Sequence, residues 1–113
     1  MENLHAMYLR DSKTKHPVGI VLTRKGSDGI VEYQYSVWNP VQNYDRDLGY
    51  KVALGRFETA AYAVRLPEGE KVTGHVINTS VLKDMLNHRG DEDRLPTRAK
   101  NAIVSWLKKH GQI

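Results

Sequence analysis

The chain contains no cysteine, and its apolar residues never run long enough to cross a lipid bilayer. The first absence excludes disulfides, cysteine nucleophiles and thiolate metal sites, and it is typical of a reducing compartment. A membrane span needs about 20 apolar residues, and the N-terminus lacks the basic start and apolar core of a signal peptide. We therefore expect a cytoplasmic protein with a single domain, residues 1–113, which is long enough to fold without a metal or a disulfide.

Motifs that carry chemistry are also missing. The five histidines form neither an HExxH pattern nor an i,i+4 pair. The serines lack the glycine-rich elbow of a hydrolase, and the glycines follow neither the Walker nor the dinucleotide-binding order. Asp45 and Asp47 are explained by capping at the start of a helix. We therefore expect no enzymatic activity, no cofactor and no metal site.

Acidic residues are absent from the C-terminal segment. Residues 94–113 carry five basic side chains and no acidic one, residues 1–25 have a net charge of +3, and residues 26–93 have a net charge of −4. This asymmetry can mark a polyanion-binding face, but an ordinary solvated surface is the more common explanation. The C-terminal candidates for nucleic-acid binding are Arg98, Lys100, Lys108 and Lys109.

Two neighbouring segments predict a β-hairpin. Residues 17–25 are apolar and β-branched, residues 30–39 alternate between apolar and polar side chains, and the turn "GSDG" joins them. We expect the apolar side of the second strand to face a helix, and Glu32 and Gln34 to face solvent. That apolar side consists of Val31, Tyr33, Tyr35 and Val37.

Helical spacing of apolar residues predicts three helices. The first runs from about residue 45 to 62 and begins at Asn43 or Asp45. The second corresponds to "TSVLKDMLNHRG", with Thr79 or Asn78 as its cap, and the third to "LPTRAKNAIVSWLKKHG", with a proline at its start and a glycine past its end.

These elements predict an α+β fold. A small antiparallel sheet, led by the hairpin, packs against the helix of residues 45–62, and two C-terminal helices complete the core. Residues 6–11 are a candidate edge strand. Residues 62–77 fit either strands or a loop.

The first helix contains two glycines, each of which costs about 1 kcal/mol relative to alanine. Gly49 lies at the flank of the apolar stripe, where a missing side chain permits close packing. Gly55 points outward, so it either marks a contact point for a partner or is incidental, with Arg56 paired inside the fold. The residues that we assign to protein binding are Trp38, Lys51, Gly55 and Arg56.

Residues 8–58 carry a resemblance to a known group of proteins. The runs "YLRDSKTKHPVGIVLTR", "YSVWNP" and "DRDLGYKVALGRFE" resemble small accessory proteins of tailed bacteriophages. The resemblance implies a phage-type setting in a host cytoplasm, where such proteins bind host or phage macromolecules, and it carries no activity over by residue. We therefore expect a non-enzymatic protein that docks on a host or phage protein and self-associates. The alternative is a nucleic-acid-binding accessory protein that uses its basic ends.

Overall fold

The computed structural model describes residues 4–26, 28–38, 45–69, 71–90 and 95–113. Within these residues, four strands form one antiparallel sheet in chain order. They are β1 (Leu4–Arg10), β2 (Pro17–Lys25), β3 (Ile30–Val37) and β4 (Tyr62–Arg65). The same described residues form three helices, which are α1 (Arg46–Ala60), α2 (Gly74–His88) and α3 (Thr97–Lys109). The α+β class, the hairpin and the edge strand are confirmed.

The β2–β3 connection is a tight turn because two consecutive residues adopt left-handed backbone angles. Asp28 has a φ of 60° and Gly29 a φ of 74°, which is the pattern that matches the twist of two antiparallel strands. The N–H of Gly26 donates to the carbonyl of Ile30 at 2.7 Å and closes the turn.

One face of the sheet packs against α1. Ile20 and Leu22 of β2 form a buried cluster with Trp38, Ala53 and Phe57. The other face packs against α2 and α3, so the sheet lies in the middle of three layers. This second, larger cluster contains Leu9, Val21, Val31, Tyr33, Tyr35, Leu66, Val81, Leu82, Met85, Leu95, Ala99, Ala102, Ile103 and Leu107.

The prediction of which way β3 faces is wrong. Tyr33 and Tyr35 point away from α1, toward α2 and α3. Gln34 points toward α1 and is only 1% exposed; its amide nitrogen donates to the carbonyl of Ala60 and its oxygen accepts from the N–H of Tyr35, both at 2.9 Å. A sheet buried on both faces needs its polar side chains hydrogen-bonded rather than solvated. Glu32 remains partly exposed and pairs with Arg24 at 2.6 Å.

Helix α1 begins as predicted and carries its two glycines for different reasons. The carboxylate of Asp45 accepts from the N–H of Leu48 at 3.0 Å, while Asn43 lies outside the described residues. A Cβ on Gly49 would lie 2.6 Å from the indole nitrogen of Trp38, so the helix approaches that ring as closely as glycine permits. Trp38 is 9% exposed, so the expectation that it is available on the surface is wrong.

The segment left open between strand and loop contains both. Residues 62–65 form β4, and α2 begins at Gly74, several residues before the predicted start. The hydroxyl of Thr73 caps α2 by accepting from the N–H of Val76 at 3.2 Å, whereas Thr79, the predicted cap, lies buried within the helix. In the part of the chain that is described, no helix combines the length and apolar character that a bilayer crossing requires.

Candidate nucleic-acid interface

The loop between β1 and β2 is held in a fixed shape by Asp11. The Oδ1 atom of Asp11 accepts from the N–H groups of Lys13 and Thr14, each at 2.9 Å. The N–H groups of Thr14 and Lys13 lower the pKa of Asp11 below its ordinary value, so its carboxylate stays ionised and is occupied by the loop itself. This Asx turn fixes the positions of the loop's basic side chains.

A hydrogen bond joins Arg10, the last residue of β1, to Lys15 in the loop. The guanidinium of Arg10 donates to the carbonyl of Lys15 at 3.1 Å, and its carbon lies 5.8 Å from the ring centroid of Tyr8. Lys15 has a φ of 65°, an uncommon left-handed conformation for a residue with a side chain. Such a conformation costs free energy, and the bonds of Lys15 to Arg10 and Asp11 hold it in place.

The last turns of α3 face this loop. Ser105, Trp106 and Lys109 lie on one side of the helix, at the spacing that brings residues of successive turns together. Trp106 is partly buried against the main core, so one part of its indole packs and another part stays accessible. Lys109 is exposed.

A basic cleft of about 300 Å³ lies between the β1–β2 loop and α3. The basic residues along its lining are Arg10, Lys15 and Lys109, the acidic residue is Asp11, and Tyr8, Ser12 and Ser105 add hydroxyl groups. Its apolar lining comprises Met7, Leu9, Leu82, Ala102 and Trp106. The lining therefore carries three basic residues and one carboxylate, that of Asp11, which already accepts from backbone N–H groups. The cleft has a net positive charge and an aromatic wall.

Two histidines extend the aromatic wall beyond Trp106. The rings of Trp106 and His110 stack with centroids 4.0 Å apart, and the ring of His75 lies 5.3 Å from His110 and 5.7 Å from Trp106. The Nδ1 atom of His110 lies 2.8 Å from the carbonyl of Trp106. Since a carbonyl only accepts, this contact is a hydrogen bond when Nδ1 carries the proton. Both histidines are exposed.

The four predicted basic residues of the C-terminal segment do not form one site. Lys109 lines the basic cleft, and Lys108 is exposed next to it along the helix. Arg98 lies about 16 Å away along α3; it is partly buried, and burial lowers its pKa. Lys100 is also partly buried and lies in the same N-terminal part of the helix.

A second surface groove lies between α1 and the end of β3. It has a volume of about 390 Å³ and is lined by Lys51, Gly55 and Arg56 together with Gln34. Three of the four residues assigned to protein binding therefore line this groove, whereas Trp38 is not among its lining residues. Arg56 donates to the carbonyl of Tyr35 at 3.0 Å, so its guanidinium also supports the fold.

The most perturbed titratable group lies in the core rather than at a surface. The hydroxyl of Tyr33 donates to Asp84 at 2.5 Å; burial, and next this hydrogen bond, raise the pKa of Tyr33 far above its ordinary value of 10.0. Arg89 stacks on the ring of Tyr62 at 3.6 Å. Because Tyr33 is fully buried, this network fixes α2 on the sheet. Within the described ranges, no three His, Cys, Asp or Glu residues form a group that could hold a metal ion.

Sequence reasoning located the charge of the basic cleft but not its composition. The sequence shows the excess of basic residues at both ends of the chain, whereas the spacing of Trp106 indicates only that it belongs to the apolar face of a helix. No signal in the sequence placed His75 beside His110, because α2 and α3 meet through packing across distant segments. Searches of protein-family models, of curated proteins and of solved structures returned no match to the chain.

Proposed function

We propose that the protein binds nucleic acid, with the basic cleft holding backbone phosphate and a base stacking against the aromatic wall that Trp106 forms with His110 and His75. One observation carries this proposal: the basic segments at the two ends of the sequence meet around a single cleft with an aromatic wall. Lys and Arg contacts to phosphate release counterions, and base–aromatic stacking adds about 1–3 kcal/mol per base without sequence preference. Single-stranded nucleic acid suits the cleft best, because its bases are accessible to stacking.

The loop supplies rigidity and α3 supplies the stacking surface. Arg10 and Lys15 are tied to each other through a backbone carbonyl, so little side-chain or loop entropy is lost when a phosphate binds. Lys109 stands across the cleft on a regular helix. A phage-type accessory role in a host cytoplasm, implied by the resemblance, belongs to the same proposal.

Fluorescence anisotropy of labelled single-stranded and duplex oligonucleotides at low salt tests this function. We expect Lys109→Glu and Lys15→Glu each to weaken binding at least about tenfold, since each replaces an attraction by a repulsion near phosphate. Lys51→Glu makes the same charge change in the groove of α1 and serves as the matched control. Absence of binding in the wild type, or equal losses in all three variants, would refute the proposal.

The groove of α1 favours a second candidate function, docking of a host or phage protein. A Cβ on Gly55 would meet no atom within 4 Å, so a partner's surface can approach the helix backbone beside exposed Lys51. Capture of a protein from host lysate after nuclease treatment, and its loss in Gly55→Ala or Lys51→Glu but not in Lys109→Glu, would support this function. Equal capture by all of these variants would remove the groove from consideration.

A further inference from the structure

The outer edge of β1 offers unpaired backbone groups. The N–H of Trp38 donates to the carbonyl of Val18 at 2.9 Å, so alternate residues of β2 starting from Val18 direct their backbone groups toward β3, and the intervening ones direct theirs toward β1. Those intervening residues pair with His5, Met7 and Leu9. The N–H and C=O groups of the remaining β1 residues before the irregularity at Leu9 and Arg10 therefore point outward. They belong to Leu4, Ala6 and Tyr8.

Nothing in the described part of the chain satisfies these outward groups. No hydrogen bond between described residues joins them to another segment outside the β1–β2 ladder. A cavity of about 400 Å³ lies between the first half of β1, the neighbouring end of β2 and the start of α2. Ala6 itself is exposed. Among the described residues, the outward backbone groups of this edge therefore have no hydrogen-bond partner.

The other free stretches of sheet edge are protected by side chains. Beyond β4, the N–H of Tyr35 donates to the side chain of Gln34, and its carbonyl accepts from Arg56. Strand β4 has only four residues, and its Arg65 donates to the carbonyl of Asp28 at 3.2 Å. Short strands and side chains that block the edge are the usual defences against pairing with another chain.

Strand β1 has none of these defences. It has seven residues, contains no proline, lysine, aspartate or glutamate, and is interrupted only by an irregularity between Leu9 and Arg10. From Leu4 to Leu9 the edge carries no Asp, Glu, Lys or Arg, and a long edge without such charges is a template for another strand. We propose that it pairs with β1 of a second copy of this chain, antiparallel about Ala6, so that one sheet runs through both copies.

The strand is complementary to itself in this register. Leu4 lies opposite the second copy's Tyr8, which is a favourable aliphatic–aromatic pair, and His5 lies opposite the second copy's Met7. Ala6 faces its own counterpart, where its small side chain permits close approach. The outward groups of the three residues then form about six hydrogen bonds across the axis. No like charges face each other between Leu4 and Tyr8.

Sedimentation equilibrium of the full chain, compared with Ala6→Pro, tests this pairing. The N–H of Ala6 points outward, so proline removes no bond to β2 and is tolerated at such an edge position. We expect a dimeric wild type and a dissociation constant at least about 100-fold higher for the proline variant, because the bonds at the axis are lost. Far-UV circular dichroism checks that the variant keeps its fold.

Disulfide trapping tests the register independently of the proline variant, because the natural chain has no cysteine. A hydrogen-bonded antiparallel pair brings its Cα atoms to about 5.5 Å, within the range of a disulfide. We expect Ala6→Cys to cross-link at least about tenfold faster than Ala63→Cys, the matched control at an exposed alanine of β4. A monomeric wild type at 100 µM overturns the proposal. So does a dimer that Ala6→Pro leaves intact, or cross-linking that is equal in the two cysteine variants.

Discussion

Helix α1 contains one glycine packed against Trp38, Gly49, and one at the surface, Gly55. Alanine substitutions at these two positions should change the stability of the fold in opposite directions. At Gly49, an added Cβ would lie 2.6 to 2.8 Å from three atoms of the Trp38 indole. That ring is buried with Ile20 and Leu22, so it cannot swing away as a flexible side chain would. The helix or the indole must shift if alanine replaces glycine at this position.

The magnitude follows from two opposing effects. Overpacking a filled core costs about 1–3 kcal/mol, and alanine regains about 1 kcal/mol of helix propensity, so Gly49→Ala should destabilise the fold by up to about 2 kcal/mol. Gly55→Ala meets no atom within 4 Å and should stabilise the fold by about 0.5–1 kcal/mol. The two variants should therefore differ by about 2 kcal/mol, or roughly 8 °C in Tm for a domain of this size.

Urea unfolding monitored by tryptophan fluorescence measures both variants against the wild type. Circular dichroism at the same urea concentrations shows whether secondary structure and tryptophan environment change together, which is required for two-state free energies. If Gly49→Ala is as stable as Gly55→Ala, α1 does not pack against Trp38 as described.

Three further outcomes follow from the hydrogen bonds of the core and the loop. Tyr33→Phe should cost about 1.5–3 kcal/mol of stability, because it removes the hydroxyl that donates to the carboxylate of Asp84. The pKa of Tyr33 is raised in the folded state, so the wild type should lose this contribution to stability as the pH rises above the ordinary pKa of 10.0. Tyr33→Phe should lack this pH dependence. Arg56→Ala should cost about 1–3 kcal/mol of stability because it removes the guanidinium that donates to the carbonyl of Tyr35. Arg56→Lys should cost less, and Tm measures both changes. The lowered pKa of Asp11 predicts that its contribution to stability is present above its ordinary value of 3.8 and lost as the pH falls below it; urea titrations should therefore show a weaker acid dependence in Asp11→Ala.

The hairpin and the helices could be predicted because their signals are local. The positive φ angles of Asp28 and Gly29 follow from turn residues between two apolar runs, and α3 ends before Gly111, whose φ is 69°. Helix α2 begins earlier than predicted because Val72, Gly74 and Val76 also fit the alternation of a strand. Such short apolar stretches do not distinguish the two periods.

The facing of β3 and the composition of the basic cleft depend on contacts between distant segments. Gln34 resembles a solvent-facing residue until Ala60, at the end of α1, supplies its hydrogen-bond acceptor. Lys109 lines the same cleft as Arg10 and Lys15 because α3 packs beside β1. Charge counts along the chain revealed an excess at both ends, and only the fold determines which of those charges meet.

The salt dependence of single-stranded oligonucleotide binding tests the proposed function most directly. Each phosphate contact contributes about −0.7 to the slope of log K against log salt for single strands, so three cations in the basic cleft predict a slope of about −2. Lys109→Ala should reduce that slope by about 0.7 for every sequence tested, and Lys51→Ala should leave it unchanged. A slope near zero in the wild type, or a slope that Lys109→Ala does not alter, would contradict phosphate binding by this cleft.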